Sequence, residues 1–173
     1  MLTAIESGDA FVRYDRENST FEIGTSKVRQ TIEAGNGNFG ITGLVNISSG
    51  FNHISEGARL GFRFREGGTE RTSASLGLSC KDYGVCILAN GEVQLTLLLS
   101  GKNYDVEYTF TVYPGTSVIK SRYKLINTGK ATVTIGDMSF LDYRGITGPT
   151  GSEKLVYITG GGNFTGSLAV REN

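Results

Sequence analysis

Two aspartates near the carboxyl end of the chain have the residue type and spacing closest to those of a hydrolytic acid/base pair. Asp137 and Asp142 flank a predicted strand at residues 138–143, and Arg144 follows that strand. Enzymes that cleave glycosidic bonds place two carboxyl groups against one sugar. The competing interpretation, which we favour, is that Asp137 completes a turn after Gly136 and that Asp142 is solvated or paired with Arg144.

Several tyrosines in one region of the sequence have the chemistry to stack on sugar rings: Tyr104, Tyr108, Tyr113 and Tyr123. Aromatic residues at alternating strand positions usually belong to a core or a sheet face, so we predict core positions for all of these except Tyr113, which lies at a turn. The candidate carbohydrate contacts are therefore Tyr113, Asp142, Tyr143 and Arg144.

The histidine and cysteine content argues against nucleophilic catalysis and a metal site. His53 is the only histidine and no Gly-x-Ser-x-Gly sequence occurs, so we interpret His53 as a surface-loop residue. Cys80 and Cys86 are the only cysteines, too few for a disulfide framework or a four-ligand zinc site. Cys86 lies in an apolar segment and is predicted to pack as a small hydrophobe, while a Cys80–Cys86 disulfide stays open. The sequence predicts no metal, no cofactor and no catalytic set.

Residues 104–135 must position Tyr113, and they have the pattern of three β-strands joined by two tight turns. Apolar and polar residues alternate over residues 104–112, as in a half-buried antiparallel strand. Residues 113–116 contain a proline and a glycine and are predicted to turn the chain into a strand at residues 118–126. A second turn at residues 127–129 is predicted to return the chain along a strand at residues 131–135.

The rest of the chain predicts about a dozen short strands. Its 25 glycines and two prolines are spread between alternating segments, as expected for many turns. Asn90-Gly91 is the strongest hairpin signal, predicting a type I′ turn with positive φ at both residues. Residues 66–71 are predicted as a turn and residues 73–78 as a weak strand. With no amphipathic helical window, we predict an all-β fold with little or no helix, a large antiparallel β-sandwich, and a closed barrel as the alternative.

Composition and charge narrow the function classes. Apolar residues at 38% and charged residues at 20% are typical of a folded domain. Seventeen basic and seventeen acidic residues give a formal net charge of zero, so no net field attracts nucleic acid or an anionic membrane. The sequence has no apolar run of membrane-helix length and no signal-peptide pattern, which predicts a soluble protein.

Two parts of the sequence resemble a known family. Residues 20–32, TFEIGTSKVRQTI, followed by TGLVN at residues 42–46, are similar to the opening hairpins of a domain in that family. Residues 112–119, VYPGTSVI, with LINTG at residues 125–129, are similar to a meander of the same domain. The chain therefore resembles the N-terminal domain of alpha-galactosidase-type glycoside hydrolases, family thirty-six and its relatives.

The resemblance implies a galactose-mutarotase-like β-supersandwich that packs against a TIM barrel carrying the catalytic aspartates, which have no counterpart in this sequence. Residues 1–173 would then be one β-sandwich domain of a longer enzyme. The expected function is that of a non-catalytic N-terminal domain, with the catalytic domain and carbohydrate as partners. The alternative is an independent carbohydrate-binding module, and the sequence leaves homo-oligomerisation open.

Overall fold

The chain forms short β-strands, described here from a computed structural model. The structure describes residues 2–141, 146–147, 156–159 and 169–172, and none of these is helical. The described residues therefore contain no helix long and apolar enough to cross a membrane. The strands are β1 (Leu2–Ser7), β2 (Ala10–Asp15), β3 (Thr20–Gly24), β4 (Val28–Gly35), β5 (Asn38–Asn46), β6 (Arg63–Glu66), β7 (Thr69–Thr72), β8 (Ser79–Ile87), β9 (Val93–Ser100), β10 (Tyr104–Val112), β11 (Ile119–Asn127), β12 (Ile135–Ser139), β13 (Val156–Thr159) and β14 (Ala169–Glu172).

Antiparallel pairing joins these strands into open sheets. The first sheet contains β1 to β5 in sequence order, and the second has the order β11-β10-β9-β8. The third sheet has the order β12-β6-β7, and β13 pairs with β14. The all-β fold class is thus confirmed, and no sheet formed by the described residues closes into a barrel.

The first two sheets pack face to face on one apolar core. In β4 the residues Val28, Gln30, Ile32 and Ala34 alternate with more exposed neighbours, because successive side chains of a strand point to opposite faces. Val93, Leu95, Leu97 and Leu99 of β9 are buried in the same way. Contacts between β2 and β9 and between β4 and β8 join the two sheets, which is the arrangement of a β-sandwich.

Aromatic rings fill the centre of this core. The Tyr108 ring lies 5.1 Å from Phe39 and 5.8 Å from Tyr123, centroid to centroid. Burial raises the pKa of the Tyr108 hydroxyl to about 12. Tyr104 is 2% exposed, and the partly buried Tyr123 packs against the same core. The predicted core positions of these three tyrosines are confirmed.

The predicted third strand of the 104–135 meander is wrong. β10 and β11 pair as expected, but residues 131–134 form no strand, and β12 pairs with β6 instead. The Asn127 side chain explains the change of direction: its Oδ1 accepts from the Gly129 amide at 2.9 Å and its Nδ2 donates to the Ala131 carbonyl at 2.8 Å. These bonds take up backbone groups that a returning strand would pair, so the chain leaves the second sheet.

The turn predicted at residues 66–71 is present but shorter than predicted, and the strand predicted at residues 73–78 is wrong. Residues 66 to 69 connect β6 to β7 through Gly67 and Gly68, which have φ of 54° and 89°. Residues 73–77 form turns, because side-chain bonds at Thr72 and Ser75 compete with a strand ladder. The Thr72 amide donates to Ser75 Oγ at 2.9 Å, and the Ser75 amide donates to Thr72 Oγ1 at 3.1 Å.

The hairpin at Asn90-Gly91 is confirmed, but its turn type is not the predicted one. Only Gly91 has a positive φ, 84°, and its amide donates to the Leu88 carbonyl at 2.9 Å. A turn that ends in a left-handed glycine is a common alternative to type I′ in hairpins. Positive φ at both central residues occurs instead at Asn36 and Gly37, which join β4 to β5 with φ of 53° and 77°.

Candidate functional site

Three of the four predicted carbohydrate contacts, Asp142, Tyr143 and Arg144, lie outside the described residues. Asp137, the other member of the carboxylate pair considered above, is in β12 with a φ of 47°. One of its carboxylate oxygens lies 3.5 Å from Nε of Arg65, and both side chains are largely exposed. Asp137 is therefore part of a surface ion pair on the third sheet.

Tyr113 is half-buried, at the start of a turn that is bonded to two other turns at one end of the sandwich. The centre of this network is Asp9, between β1 and β2. Its carboxylate accepts hydrogen bonds from Ser26 Oγ and from the Gly115 amide, both at 2.6 Å. These bonds, with the one to Ser26 first in effect, hold the Asp9 pKa below its ordinary value.

The same network contains direct bonds between the turn at residues 24–27 and the turn at residues 113–116. Lys27 Nζ donates to the Gly115 carbonyl at 2.6 Å, and Thr25 Oγ1 donates to the Thr116 carbonyl at 2.7 Å. Thr25 is 2% exposed, so its bond is shielded from water. The two turns are far apart in sequence, and these contacts fix the backbone that carries Tyr113.

His53 and the cysteines differ in part from the predictions. His53 is only partly exposed, its ring is 5.0 Å from Phe51, and its Nδ1 lies 3.2 Å from the Thr147 carbonyl oxygen. Both cysteines are free thiols, and Cys86 is exposed, so the prediction that it packs as a small hydrophobe is wrong. Cys86 pairs with Gln94 and shares its outward face, whereas Val85 pairs with the buried Leu95.

A groove of about 720 Å³ opens where the first sheet meets the beginning of β8. Three segments line it: the end of β2 with the turn that follows, the β4–β5 turn, and residues 79–83. Its volume is within the range typical of small-molecule sites, about 300–1,000 Å³. We call it the β2–β8 groove.

Three aromatic rings form the floor of the β2–β8 groove. Tyr14 stacks on the buried Phe21 with ring centroids 4.4 Å apart, and Tyr83 lies 4.8 Å from Tyr14. Tyr83 is 39% exposed. Burial raises the pKa of the Tyr14 hydroxyl, and the neighbouring Tyr83 adds to the rise, so this hydroxyl stays neutral.

A β-bulge in β8 brings Tyr83 to this floor. Cys80 pairs with Leu99 and Tyr83 pairs with Leu97, with a register shift between Cys80 and Asp82. Residues three apart in a regular strand face opposite sides, but an extra residue in a bulge restores the same face. Tyr83 and Cys80 therefore both point toward the first sheet. Burial raises the pKa of the Cys80 thiol, which disfavours the nucleophilic thiolate.

Polar side chains line the rim of the groove. Arg16, Lys81 and Asn36 are exposed, and their side chains make no hydrogen bond or ion pair with the described part of the chain. Asp82 is also exposed, and its Oδ1 accepts from the Tyr83 amide at 2.8 Å. The fold leaves both donors and acceptors free at this rim.

Hydrogen bonds hold the three segments of the groove in place. The Gly37 amide donates to Ser79 Oγ at 2.6 Å, joining the β4–β5 turn to β8. The Ala34 amide donates to the Ser19 carbonyl at 3.1 Å, joining β4 to the β2–β3 turn. Within that turn, Asn18 Nδ2 donates to Asp15 Oδ2 at 2.7 Å. The groove is thus preformed.

The sequence predictions did not include this groove. The tight turn at Asn36-Gly37, which forms one of its walls, was not predicted as a hairpin turn. The bulge at Lys81 interrupts the alternation of apolar and polar residues in β8, so the sequence pattern did not place Tyr83 on the inward face. An Asn-Gly pair between two alternating segments was the signal that could have found the first of these features.

Among the residues that the structure describes, no group of three or more His, Cys, Asp or Glu side chains has metal-binding geometry. Comparison of the sequence with protein-family models and with curated proteins gives no match. The site must therefore be interpreted from its own geometry.

Proposed function

We propose that this chain is a non-catalytic β-sandwich domain of a carbohydrate-active enzyme of the alpha-galactosidase type, which packs against a catalytic barrel. The observation that carries the proposal is the contact between the two sequence stretches that resemble that family. The turn at residues 24–27 belongs to the first stretch and the turn at residues 113–116 to the second. Lys27 and Thr25 bond directly to Gly115 and Thr116. The two stretches that resemble the family therefore also meet in the fold, which supports the proposal.

The roles of the polar groups at this end of the sandwich support a structural domain. The Asp9 carboxylate accepts hydrogen bonds from backbone and side-chain donors of two turns. Its charge therefore serves to hold the backbone in place rather than to transfer protons. Lys27 likewise donates to a backbone carbonyl. The best-connected charged groups here stabilise the fold.

An exposed aromatic residue beside the edge strand β11 of the second sheet supports packing against a larger partner. Phe140 is 63% exposed, yet its ring lies 5.4 Å from Tyr123, which stacks on the core residue Phe62 at 4.5 Å. Met138 nearby in sequence is 48% exposed. Aromatic residues and methionine are enriched in protein interfaces, so we assign Phe140 and Met138 to the surface that contacts the barrel.

The test is to read the gene beyond the codon for Asn173. We expect the reading frame to continue into alternating strands and helices of a β/α-barrel with two candidate catalytic aspartates. A frame that stops there, or that continues into a domain of another class, would show that the proposal is wrong.

A further inference from the structure

We propose that the β2–β8 groove is a binding site for a neutral saccharide. The inference goes beyond the proposed domain-packing function, because it concerns a different surface: Phe140 lies next to Tyr123 of β11, whereas the groove borders β8 at the opposite edge of the second sheet. A failure of one proposal would leave the other standing.

The floor of the groove has the chemistry that the apolar face of a sugar ring requires. Tyr83 offers a partly exposed ring, and its orientation is fixed by contacts with Tyr14 at 4.8 Å and with Phe21 at 5.1 Å. Tyrosine combines an apolar ring with a hydroxyl that makes polar contacts. The neutral Tyr14 hydroxyl can both donate and accept, as the hydroxyls of a sugar do.

The rim favours a neutral, hydroxyl-rich ligand over an anion. Arg16 and Lys81 can only donate, whereas the Asp82 carboxylate can only accept. Sugar hydroxyls can satisfy both kinds of group at once. A phosphate or a nucleotide would gain from the two cations but would be repelled by Asp82, and the chain has no net charge to attract it.

The preformed walls of the groove reduce the cost of binding. The bonds from Gly37 to Ser79 and from Ala34 to Ser19 hold the walls before any ligand arrives. A ligand then orders only the rim side chains, so less conformational entropy is lost on binding. The side chains of Arg16, Lys81 and Asn36, which make no bond within the described part of the fold, would contact the sugar.

The test begins with the whole chain on an array of neutral and acidic oligosaccharides, followed by calorimetric titration of the best ligand. We expect a neutral glycan to bind. Arg16→Ala and Tyr83→Ala should each weaken binding by about tenfold or more, since each removes a charge-assisted hydrogen bond or the stacking ring. Arg16 is exposed and unpaired in the described structure, so Arg16→Ala keeps the test valid if Tyr83→Ala fails to fold.

Matched controls separate the groove from other surfaces. Arg122→Ala removes an exposed arginine of β11 and should bind as the parent does, whereas Tyr113→Ala tests the separate contact that the sequence predicts. Amide resonances of residues 14–19, 34–37 and 79–83 should shift on titration. Absence of binding across the array would overturn the inference. Binding that is lost in Tyr113→Ala but retained in both groove variants would overturn it as well.

Discussion

Asp9 is the residue on which the arrangement of turns around Tyr113 most depends. It accepts from Ser26 Oγ and from the amides of Ser26 and Gly115, so one carboxylate joins the 24–27 turn to the 113–116 turn. These donors favour the charged form, which is why its pKa lies below the ordinary value of 3.8. The position lies between strands and carries no hydrophobic pattern, so no sequence signal singles it out.

Asp9→Asn should lower the stability of the domain at neutral pH. A carboxyl group with a depressed folded pKa stabilises the fold above its unfolded pKa, near 3.8, and that stabilisation is lost as the pH falls through the folded value. The difference in free energy of unfolding between parent and variant should therefore be constant above about pH 5 and should disappear in strong acid. Urea unfolding across this pH range measures it.

Asp105→Asn is the matched control for Asp9→Asn. The Asp105 carboxylate makes no hydrogen bond or ion pair with the described residues, so its replacement should change stability little at any pH. A loss of stability in Asp9→Asn that stays the same at all pH values would contradict the role assigned to the charged carboxylate.

At the scale of elements, the turn at residues 24–27 depends on a close backbone approach at Gly24. A Cβ atom added there would lie 2.1 Å from the Val28 carbonyl oxygen and 2.9 Å from the Arg29 Cα. These are backbone atoms of the paired strand β4, so the clash cannot be relieved by a side-chain rotation. We expect Gly24→Ala to lower the free energy of unfolding by about 1–3 kcal/mol, the usual cost of overpacking.

Gly84→Ala provides the comparison for Gly24→Ala. Gly84 is also in a strand, β8, but an added Cβ would meet nothing within 4 Å. The free energy of unfolding of the Gly84→Ala variant should differ from that of the parent by no more than about 0.5 kcal/mol, as for most surface substitutions. Chemical denaturation of the two variants checks both values, and equal losses would show that the tight contact at Gly24 is not the cause.

Strand β8 shows how much of a secondary-structure element can be predicted from sequence patterns. The hairpin signal at Asn90-Gly91 predicts a strand before it but not where that strand begins, and β8 begins at Ser79. The bulge after Cys80 breaks the alternation, and bulges depend on pairing with a strand that the local pattern does not contain. Cys86 was assigned to the wrong face for a related reason: its orientation follows from the hairpin register, which places it opposite Gln94.

At the scale of the whole molecule, the sequence predicts the fold class well and the connections between sheets poorly. Alternation is a local signal, so the strands and the sandwich could be predicted from it. The pairing of β12 with β6 joins segments about seventy residues apart, and no local pattern encodes that choice. The β2–β8 groove has the same origin, because its three walls come from separate parts of the chain.

The exposed surface formed by Phe140 and Met138 is the surface that we propose to contact the catalytic barrel of a larger enzyme. Ile87, at the other edge of the second sheet, is a useful reference because it is also a large exposed hydrophobe, at 51% compared with 63% for Phe140. If exposed apolar area alone caused association, substitutions at the two positions would weaken binding equally. If the interface is specific, only the substitution at Phe140 should lower the affinity.

The most direct measurement of the central claim is the affinity of this chain for the separately produced region that its gene encodes after Asn173. We predict a one-to-one complex in calorimetric titration, weakened about tenfold or more by Phe140→Ser, as for a central aromatic residue of an interface, and unchanged by Ile87→Ser. No association, or equal weakening by the two substitutions, would contradict the account.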